Sequence, residues 1–206
     1  MKVLALNGSP HEKGCTFTAI NLLAEELKRH EIETEIVHVG GKPMQGCIAC
    51  RKCKETGRCV FDDIVNVCLD KMKEADGIII GSPVYYSGIS GQMKSFLDRF
   101  FYAGPDLRFK VGVAVTSLRR SGGVDTFHQL NNFFNLAQVI TVPSCYWNVI
   151  HGGEPSETVQ DLEGVQIMRT LGKNMAWLME AVSRTKEILP LPEQEKRIFT
   201  NFIRKI

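Results

Sequence analysis

The sequence predicts a three-layer α/β/α protein with a doubly wound, five-stranded parallel sheet in the order 2-1-3-4-5. Strand-like and helix-like segments alternate along the 206 residues, which indicates a parallel sheet with helices on both faces. Two of the strand-like segments, GIIIG and VGVAVT, are continuous apolar runs of the kind buried on both faces. Right-handed crossovers leave few topologies, and this strand order is a common one.

Five β/α units follow one another. Strands are predicted, in chain order, at 2–7, 33–39, 77–81, 111–116 and 139–142. Helices are predicted, in chain order, at 16–30, 64–74, 92–101, 124–137 and 159–182. These units form one domain over residues 1–182, which carries a Cys-rich segment at 43–62, called the cysteine loop below.

The tail, 183–206, is predicted as a separate helix that docks on the domain or on a second subunit. After Pro190 and Pro192 it shows an apolar stripe, and a stripe so near a terminus needs a surface to pack on. The stripe consists of Ile198, Phe199, Phe202, Ile203 and Ile206.

The composition excludes several classes of protein. Lys plus Arg total 25 and Asp plus Glu total 23, a net charge of +2, which argues against binding nucleic acid by bulk charge. No stretch approaches the roughly 18 apolar residues of a membrane span. The first apolar run is too short for a signal peptide. We therefore expect a cytoplasmic protein that binds neither nucleic acid nor membrane.

The predicted ligand site lies where the chain reverses direction, between the first and third strands. Ligands of open α/β sheets bind at the carboxyl ends of such strands. The first loop, 8–18, offers the hydroxyls of Ser9, Thr16 and Thr18 and the free N–H groups at a helix start, which suits a phosphate group. Plain N-capping of the helix is the alternative. The loop has neither the Walker A nor the G-x-G-x-x-G pattern.

Two further loops reach the same edge of the predicted sheet. The loop at 81–91 carries adjacent Tyr85 and Tyr86 and suits a flat ring, with an ordinary turn bearing surface tyrosines as the alternative. The loop at 116–123 adds polar donors and glycines that allow close backbone approach. We nominate no side chain as a catalytic acid or base.

The most specific pattern is the run Cys47-x2-Cys50-x2-Cys53-x5-Cys59. Four thiolates so close together can hold one iron–sulfur cluster. Structural zinc, which usually pairs two separated C-x2-C knuckles, and free or reversibly oxidised thiols are the alternatives. Neighbouring basic residues would offset a cluster's negative charge, lower the thiol pKa values and attract an acidic partner. These residues are Arg51, Lys52, Lys54 and Arg58. The cysteines outside the run, predicted to be buried, are Cys15, Cys68 and Cys145.

Parts of the chain resemble the NADPH-dependent FMN reductase and flavodoxin-like superfamily. The stretch Asn7-Gly8-Ser9-Pro10…Gly14-Cys15-Thr16 is similar to its phosphate loop. Pro83-Val84-Tyr85 and the following Gly91-Gln92-Met93-Lys94-Ser95-Phe96-Leu97-Asp98-Arg99 are similar to its second flavin loop and the next helix. The cysteine run resembles that of the iron–sulfur flavoprotein branch, which binds a 4Fe-4S cluster beside FMN. The resemblance covers about residues 1–182 and implies a flavodoxin-like fold.

The resemblance also implies which residues contact the cofactors. Those for the FMN phosphate are Ser9, His11, Cys15, Thr16, Phe17 and Thr18, with His11 and Cys15 standing where the family often has Arg and Asn or Ser. Those for the ribityl chain and ring are Pro83, Val84, Tyr85, Tyr86, Ser87 and Gly88. Those for the isoalloxazine are Thr116, Ser117, Gly122 and Gly123. Those for the cluster are Cys47, Cys50, Cys53 and Cys59. A homodimer or homotetramer is implied, with the flavin near a subunit interface.

Together these features predict a redox flavoprotein in which FMN and a 4Fe-4S cluster transfer electrons between a reduced donor and an acceptor. NAD(P)H is a candidate donor, a small molecule a candidate acceptor, and a ferredoxin-like protein a candidate partner. One alternative is a cluster-free NAD(P)H-dependent FMN or quinone reductase. Another is a non-enzymatic thiol redox sensor with reversible disulfides among the four clustered cysteines.

Overall fold

Strands and helices alternate through most of the chain, of which the computed structural model describes residues 1–200 and 202. The strands are β1 (Lys2–Asn7), β2 (Glu33–His38), β3 (Gly77–Tyr85), β4 (Gly88–Ile89), β5 (Val111–Leu118), β6 (Ile140–Thr141) and β7 (Val149–His151). The helices are α1 (Cys15–Arg29), α2 (Cys53–Thr56), α3 (Ile64–Glu74), α4 (Gly91–Ala103), α5 (Gly123–Leu136), α6 (Pro155–Thr158) and α7 (Leu162–Ile188).

The central sheet has the order β2-β1-β3-β5-β6, with all of these strands parallel. This confirms the predicted doubly wound order, since β4 only forms a hairpin with β3 and the short β7 lies beside β5. Asn7 at the end of β1 is in register with Gly81 of β3, and Gly81 is in register with Val115 of β5. The register therefore brings the loops after β1, β3 and β5 to one edge of the sheet.

Two apolar layers cover the sheet, as the three-layer prediction requires. Leu4 and Leu6 of β1 pack in a core with α3, α4 and α5, whereas Val3 and Ala5 pack in a second core with α1 and α7. Successive side chains of a strand point to opposite faces, so an uninterrupted apolar strand supplies both cores.

The second predicted ligand loop is not a simple loop. β3 continues to Tyr85 because its pairing with β5 persists through Ser82 and Pro83, which are in register with Thr116 and Ser117. The chain then reverses through a tight turn to β4. Two of the predicted flavin contacts, Tyr86 and Ser87, form this turn with φ of 48° and 57°.

The last strand and the last helix also differ from the predictions. Only Ile140 and Thr141 pair with β5, because Pro143 follows and cannot donate to the ladder. The chain leaves the sheet and returns as β7 beside Thr116, Ser117 and Leu118 at the carboxyl end of β5. The sequence did not predict this strand. Helix α7 runs to Ile188, so the predicted domain end at 182 falls inside a continuous helix.

The predicted tail helix is wrong over residues 190–200, which are described and contain no helix. Prolines disfavour helical backbone in the residues before them, and a short helix is marginal without a surface to pack on. Ile198 and Phe199 are 94% and 76% exposed, so this described part of the stripe is not covered by residues 1–200 or 202. Ile203 and Ile206 lie outside the described residues, and the docking role of the tail stays a prediction.

Within the part of the chain that the structure describes, no helix combines the length and the apolar character needed to cross a membrane.

Candidate functional site

The loop after β1 leads directly into helix α1 and leaves its first amides without a hydrogen-bond partner among the described residues. Thr18 N–H is the first to bond back along the helix, to Gly14 O at 3.0 Å. The amides of Cys15, Thr16 and Phe17 therefore point out of the helix start. The cap residue is Gly14, and no described side chain caps this end. The predicted alternative, plain capping by the loop's hydroxyls, is not what the described residues show.

Buried hydroxyl groups join the three loops at the carboxyl edge. Ser90 Oγ–H donates to Gly8 O (2.7 Å), which ties the β3–β4 hairpin to the first loop. Thr16 Oγ1 and Ser117 Oγ lie 2.7 Å apart, which ties α1 to the end of β5. Gly122 has φ of +87°, and a Cβ there would lie 2.7 Å from Ser87 Oγ, so the third loop packs closely on the hairpin. We call this junction the carboxyl edge.

A fourth segment, at and just after the end of β2, supports the first loop and was not singled out from the sequence. Ser9 O accepts a hydrogen bond from His38 Nε2 at 2.7 Å. A Cβ on Gly40 would overlap Ser9 O and lie 2.5 Å from Gly8 O, so only glycine fits here. The backbone of the first loop is thus held from both sides.

The predicted flavin contacts differ in what they leave available for a ligand. Thr16, Thr116 and Ser117 are buried, and their hydroxyls bond within the protein. The Thr18 hydroxyl donates to Gly14 O at 3.3 Å, so backbone amides are the free donors at this end of α1. The half-buried predicted contacts are Cys15, Phe17, Thr18, Pro83, Val84, Gly88 and Gly122. The exposed ones are His11, Tyr85, Tyr86 and Ser87, and the remaining buried ones are Ser9 and Gly123.

A cavity of about 310 Å³ opens beside Gly122 and Gly123. Tyr146 and Trp147, whose rings meet edge-to-face at 4.6 Å between centroids, form one wall. The volume is at the lower end of the range for ligand pockets, and aromatic walls suit a flat ring. The sequence did not predict this wall, because Tyr146 and Trp147 lie in the irregular segment between β6 and β7.

Asp161 fixes the other side of this cavity. Its carboxylate accepts from Gly164 N at 2.9 Å, which caps α7, and from His151 N at 2.7 Å. Burial alone would raise the pKa of Asp161, but these backbone hydrogen bonds and His151 outweigh it and lower the pKa below its ordinary value. The carboxylate therefore anchors both β7 and α7.

The cysteine loop is irregular and largely exposed, in contrast to the carboxyl edge. Cys47 and Cys50 are exposed, while Cys53 and Cys59 are half-buried. Ala49 and Arg51 have φ of 53° and 63°, a conformation uncommon for residues other than glycine.

Cys59 is the best-anchored cysteine of the run. Buried Asn66 accepts from Cys59 N (2.8 Å) and donates to Cys59 O (3.0 Å). Arg99 of α4, which is 2% exposed, donates from Nε to Cys59 Sγ at 3.2 Å. Neither Asn66 nor Arg99 was predicted as a site residue. The available signal for Arg99 was a charged residue directly beside the apolar stripe of α4.

Cys53 lies in the short helix α2, where its Sγ is 3.8 Å from Tyr102 O. Burial raises the pKa of the Cys53 thiol, and the nearby charge of Lys54 only partly opposes this. Lys54 thus acts on the pKa of Cys53 in the expected direction, but burial outweighs it. Of the cysteines outside the run, Cys68 is buried as predicted, but Cys15 is half-buried and Cys145 is exposed.

Among residues 1–200 and 202, no three His, Cys, Asp or Glu side chains are grouped closely enough to hold a metal ion. The donor set itself fits an iron–sulfur cluster, because four thiols of one segment are available and a buried guanidinium faces one sulfur. The loop thus offers four candidate thiol ligands, of which Cys59 is anchored.

The family model described as NADPH-dependent FMN reductase matches residues 1–154. An iron–sulfur flavoprotein of Methanocaldococcus jannaschii is 39% identical over 193 residues, covering 89% of this chain and 100% of that protein. RosB, solved with 8-demethyl-8-formylriboflavin-5'-phosphate, superposes with a TM-score of 0.71 at 16% identity, covering 100% of this chain and 94% of RosB. A flavodoxin from the domain Archaea gives a TM-score of 0.62 at 15% identity, covering 87% of this chain and 99% of that one.

Proposed function

Because the chain belongs to the NADPH-dependent FMN reductase family, and is thus an FMN-binding oxidoreductase, we propose that it transfers electrons between FMN at the carboxyl edge and a 4Fe-4S cluster in the cysteine loop. The observation that carries this proposal is the junction of three loops at the carboxyl ends of β1, β3 and β5, with free amides at the start of α1. When bound, the flavin accepts two electrons and releases them singly, and the cluster carries one at a time.

The start of α1 would hold the phosphate group. The free amides of Cys15, Thr16 and Phe17 point at one place, and the helix dipole adds partial positive charge there. The hydroxyl of Ser9 already accepts from His11 N at 3.1 Å, which fixes the shape of the loop. Phosphate binding by this protein would therefore rest on backbone donors.

The ring of the flavin would lie beside Gly122 and Gly123. These glycines let the backbone approach a flat ligand, and the cavity walled by Tyr146 and Trp147 begins at the same place. Pro83 and Val84 at the end of β3 would contact the ribityl chain. The apolar walls would exclude water from one side of the ring.

Cys47, Cys50, Cys53 and Cys59 would bind the cluster, in keeping with the name iron–sulfur flavoprotein that the Methanocaldococcus relative bears. Exposed Arg51 and Lys52 would offset its negative charge. Lys54 donates to Tyr102 O at 2.8 Å, and Arg58 pairs with Asp70 at 2.6 Å, so these two cations also fix the loop to α4 and α3.

Anaerobic purification followed by absorption spectroscopy, FMN titration and iron and sulfide analysis tests this function. We expect bound FMN and about four iron and four sulfide ions per chain. Cys47→Ser should lose the iron and keep the flavin. Cys145→Ser, which removes an exposed cysteine outside the loop, is the matched control and should keep both. A colourless chain that does not bind added FMN would contradict the proposal.

One observation favours the cluster-free reductase as a second candidate. Cys47 and Cys50 are exposed, and the described structure does not group the cysteines as ligands. Rapid bleaching of the flavin by NADPH, in iron-free protein without a protein partner, would support this candidate. Reversible disulfides among the four cysteines without turnover of any acceptor would support the thiol sensor instead.

We also propose an acidic redox protein as partner and a homodimer or larger assembly. Exposed Arg51 and Lys52 give the cysteine loop a cationic surface, which would attract an acidic ferredoxin-like protein. We expect the rate of electron transfer between this protein and an acidic ferredoxin to fall steeply as the salt concentration rises. The fall should be less steep in Lys52→Gln than in the wild type. Light scattering on the holoprotein would determine the assembly.

A further inference from the structure

We propose that Arg99 is the positioning residue of the cysteine loop: it fixes the Cys59 sulfur as a cluster ligand and makes the bound cluster easier to reduce. This inference rests on the proposed function, because it concerns a group that the cysteines would hold. Arg99 belongs to α4 and lies 40 residues from Cys59 in the sequence, so the contact exists only in the fold.

All three guanidinium nitrogens of Arg99 are engaged around the loop. Nε donates to Cys59 Sγ at 3.2 Å, while Nη1 and Nη2 bind the two carboxylate oxygens of Asp63 at 2.8 and 2.9 Å. Nη1 also donates to Gln45 O at 3.2 Å, and Nη2 to Phe61 O at 3.4 Å. The guanidinium further lies 4.9 Å from the centroid of the Phe61 ring.

These contacts close the loop at both ends. Gln45 precedes the first cysteine of the run and Phe61 follows the last, so one buried side chain joins the two backbone segments that flank all four thiols. The bidentate pair with Asp63 fixes the plane of the guanidinium. With the plane fixed, Nε–H is aimed at the sulfur and cannot swing away.

The chemistry of this contact favours electron uptake at the sulfur. Arginine keeps its charge at all working pH values and cannot accept a proton from a thiol. A reduced cluster carries one more negative charge than an oxidised one. A buried cation with an N–H donor to a ligand sulfur therefore stabilises the reduced form more, which raises the reduction potential.

Four variants of the holoprotein separate this role from neighbouring ones. Arg99→Gln removes the positive charge. Arg99→Lys keeps the charge but loses the planar guanidinium that binds Asp63 through two nitrogens. Asp63→Asn removes the carboxylate that fixes the guanidinium plane and keeps the charge of Arg99. Arg58→Gln removes a cation next to Cys59 in sequence that pairs with Asp70 rather than with the sulfur. Redox titration followed by electron paramagnetic resonance gives the cluster potential, and flavin absorbance serves as the internal reference.

We expect the cluster potential to fall in Arg99→Gln and Arg99→Lys, with the flavin potential unchanged. Iron should also pass to a chelator about 10- to 100-fold faster than in the wild type, as for other residues that orient metal ligands. Asp63→Asn should lower the melting temperature and shift the cluster potential less than the Arg99 variants do, because it keeps the cation. An unchanged potential in the Arg99 variants, or an equal shift in Arg58→Gln, would overturn the inference.

A measurement on folded protein covers the case in which the Arg99 variants do not fold. With ¹⁵N-labelled arginine, the reduced cluster should show a nitrogen hyperfine coupling that persists in Arg58→Gln, because Arg58 pairs with Asp70 rather than with the sulfur. Its absence from the wild type would refute the contact. If the wild-type protein contains no iron, the proposed function is contradicted as well. If it contains the cluster but shows no ¹⁵N hyperfine coupling, only the role of Arg99 is contradicted.

Discussion

The carboxyl edge and the cysteine loop differ in how much of each is built before a ligand arrives. At the carboxyl edge, buried hydroxyls such as Ser90 and Thr16 join separate loops to one another. In the cysteine loop, firm contacts gather at Cys59, whereas Cys47 and Cys50 are exposed. The parallel sheet imposes the first arrangement, since its register brings three strand ends together.

The two proposed cofactor sites draw on different sources of order. A site at aligned strand ends is preorganised by the same contacts that stabilise the sheet. A site within one irregular loop obtains its remaining order from the bound group, as in other small metal sites. Loss of FMN should therefore leave the carboxyl edge folded, whereas loss of the cluster should loosen the half of the loop around Cys47 and Cys50.

The largest expected effect comes from the close packing behind the carboxyl edge. Gly40→Ala places a methyl group against the backbone of Ser9 and Gly8, so we expect a loss of about 3 kcal/mol in unfolding free energy and weakened FMN binding. Gly46→Ala is the control in the cysteine loop, where the nearest described heavy atom to the added methyl is Ser95 Oγ at 4.0 Å. If urea titrations show that Gly40→Ala and Gly46→Ala destabilise the protein equally, the two sites do not differ in how closely they are packed.

Within the cysteine loop, the anchored and exposed ends should respond differently. Asn66→Ala removes two hydrogen bonds to the Cys59 backbone and should cost about 2 kcal/mol even in iron-free protein. Cys47→Ser should leave the stability of iron-free protein within about 0.5 kcal/mol, because the side chain is exposed. Both variants should lose iron. A large stability loss in Cys47→Ser would show that the exposed end is also preformed.

The hydroxyl pair that joins α1 to β5 should show measurable coupling. We expect the double-mutant cycle of Thr16→Val and Ser117→Ala to give about 1 kcal/mol, since either single change leaves a buried hydroxyl unpaired. Urea unfolding of the four proteins measures it. Strictly additive effects would mean that the loops at this edge are held by packing alone.

The smallest effect concerns acid pH. The pKa of Asp161 is lower in the folded protein than the ordinary 3.8, so its ionised form favours folding. This contribution is complete above about pH 3.8 and is lost as the pH falls through the folded pKa. Asp161→Asn still caps the helix, so it should lower the unfolding free energy at pH 7 by less than about 1 kcal/mol. It should also weaken the dependence of the unfolding free energy on pH below about 3.8. Asp62→Asn, at an exposed carboxylate, is the control, and an equal change there would contradict the role of Asp161.

The sequence predicted the parts of the fold that depend on local patterns. Helix α3 has the predicted bounds, and the apolar runs of β1, β3 and β5 identified the buried strands. It did not predict that β3 continues to Tyr85, because Ser82 and Pro83 resemble a turn and their strand pairing is visible only across the sheet. Strand β7 was missed for the same reason, since its short run pairs with the far end of β5.

The site was predictable to the extent that strand ends meet. The three loops were placed at one edge from topology, and the structure brings them together through Thr16, Ser117 and Ser90. Gly40 and Arg99 escaped prediction because their roles depend on neighbours far away in sequence. A lone arginine beside an apolar stripe gives no hint of the sulfur it faces.

Helix α4 begins one residue after Ser90, which holds the first loop, and carries Arg99, which holds the cysteine loop. Anyone transplanting the cysteine motif into another protein of this architecture would need to move more than residues 43–62. The transferable module is the loop together with α3, which contributes Asn66, and α4 up to Arg99. A graft without these helices would carry the thiols but would lack Asn66 and Arg99, whose contacts hold Cys59 in place.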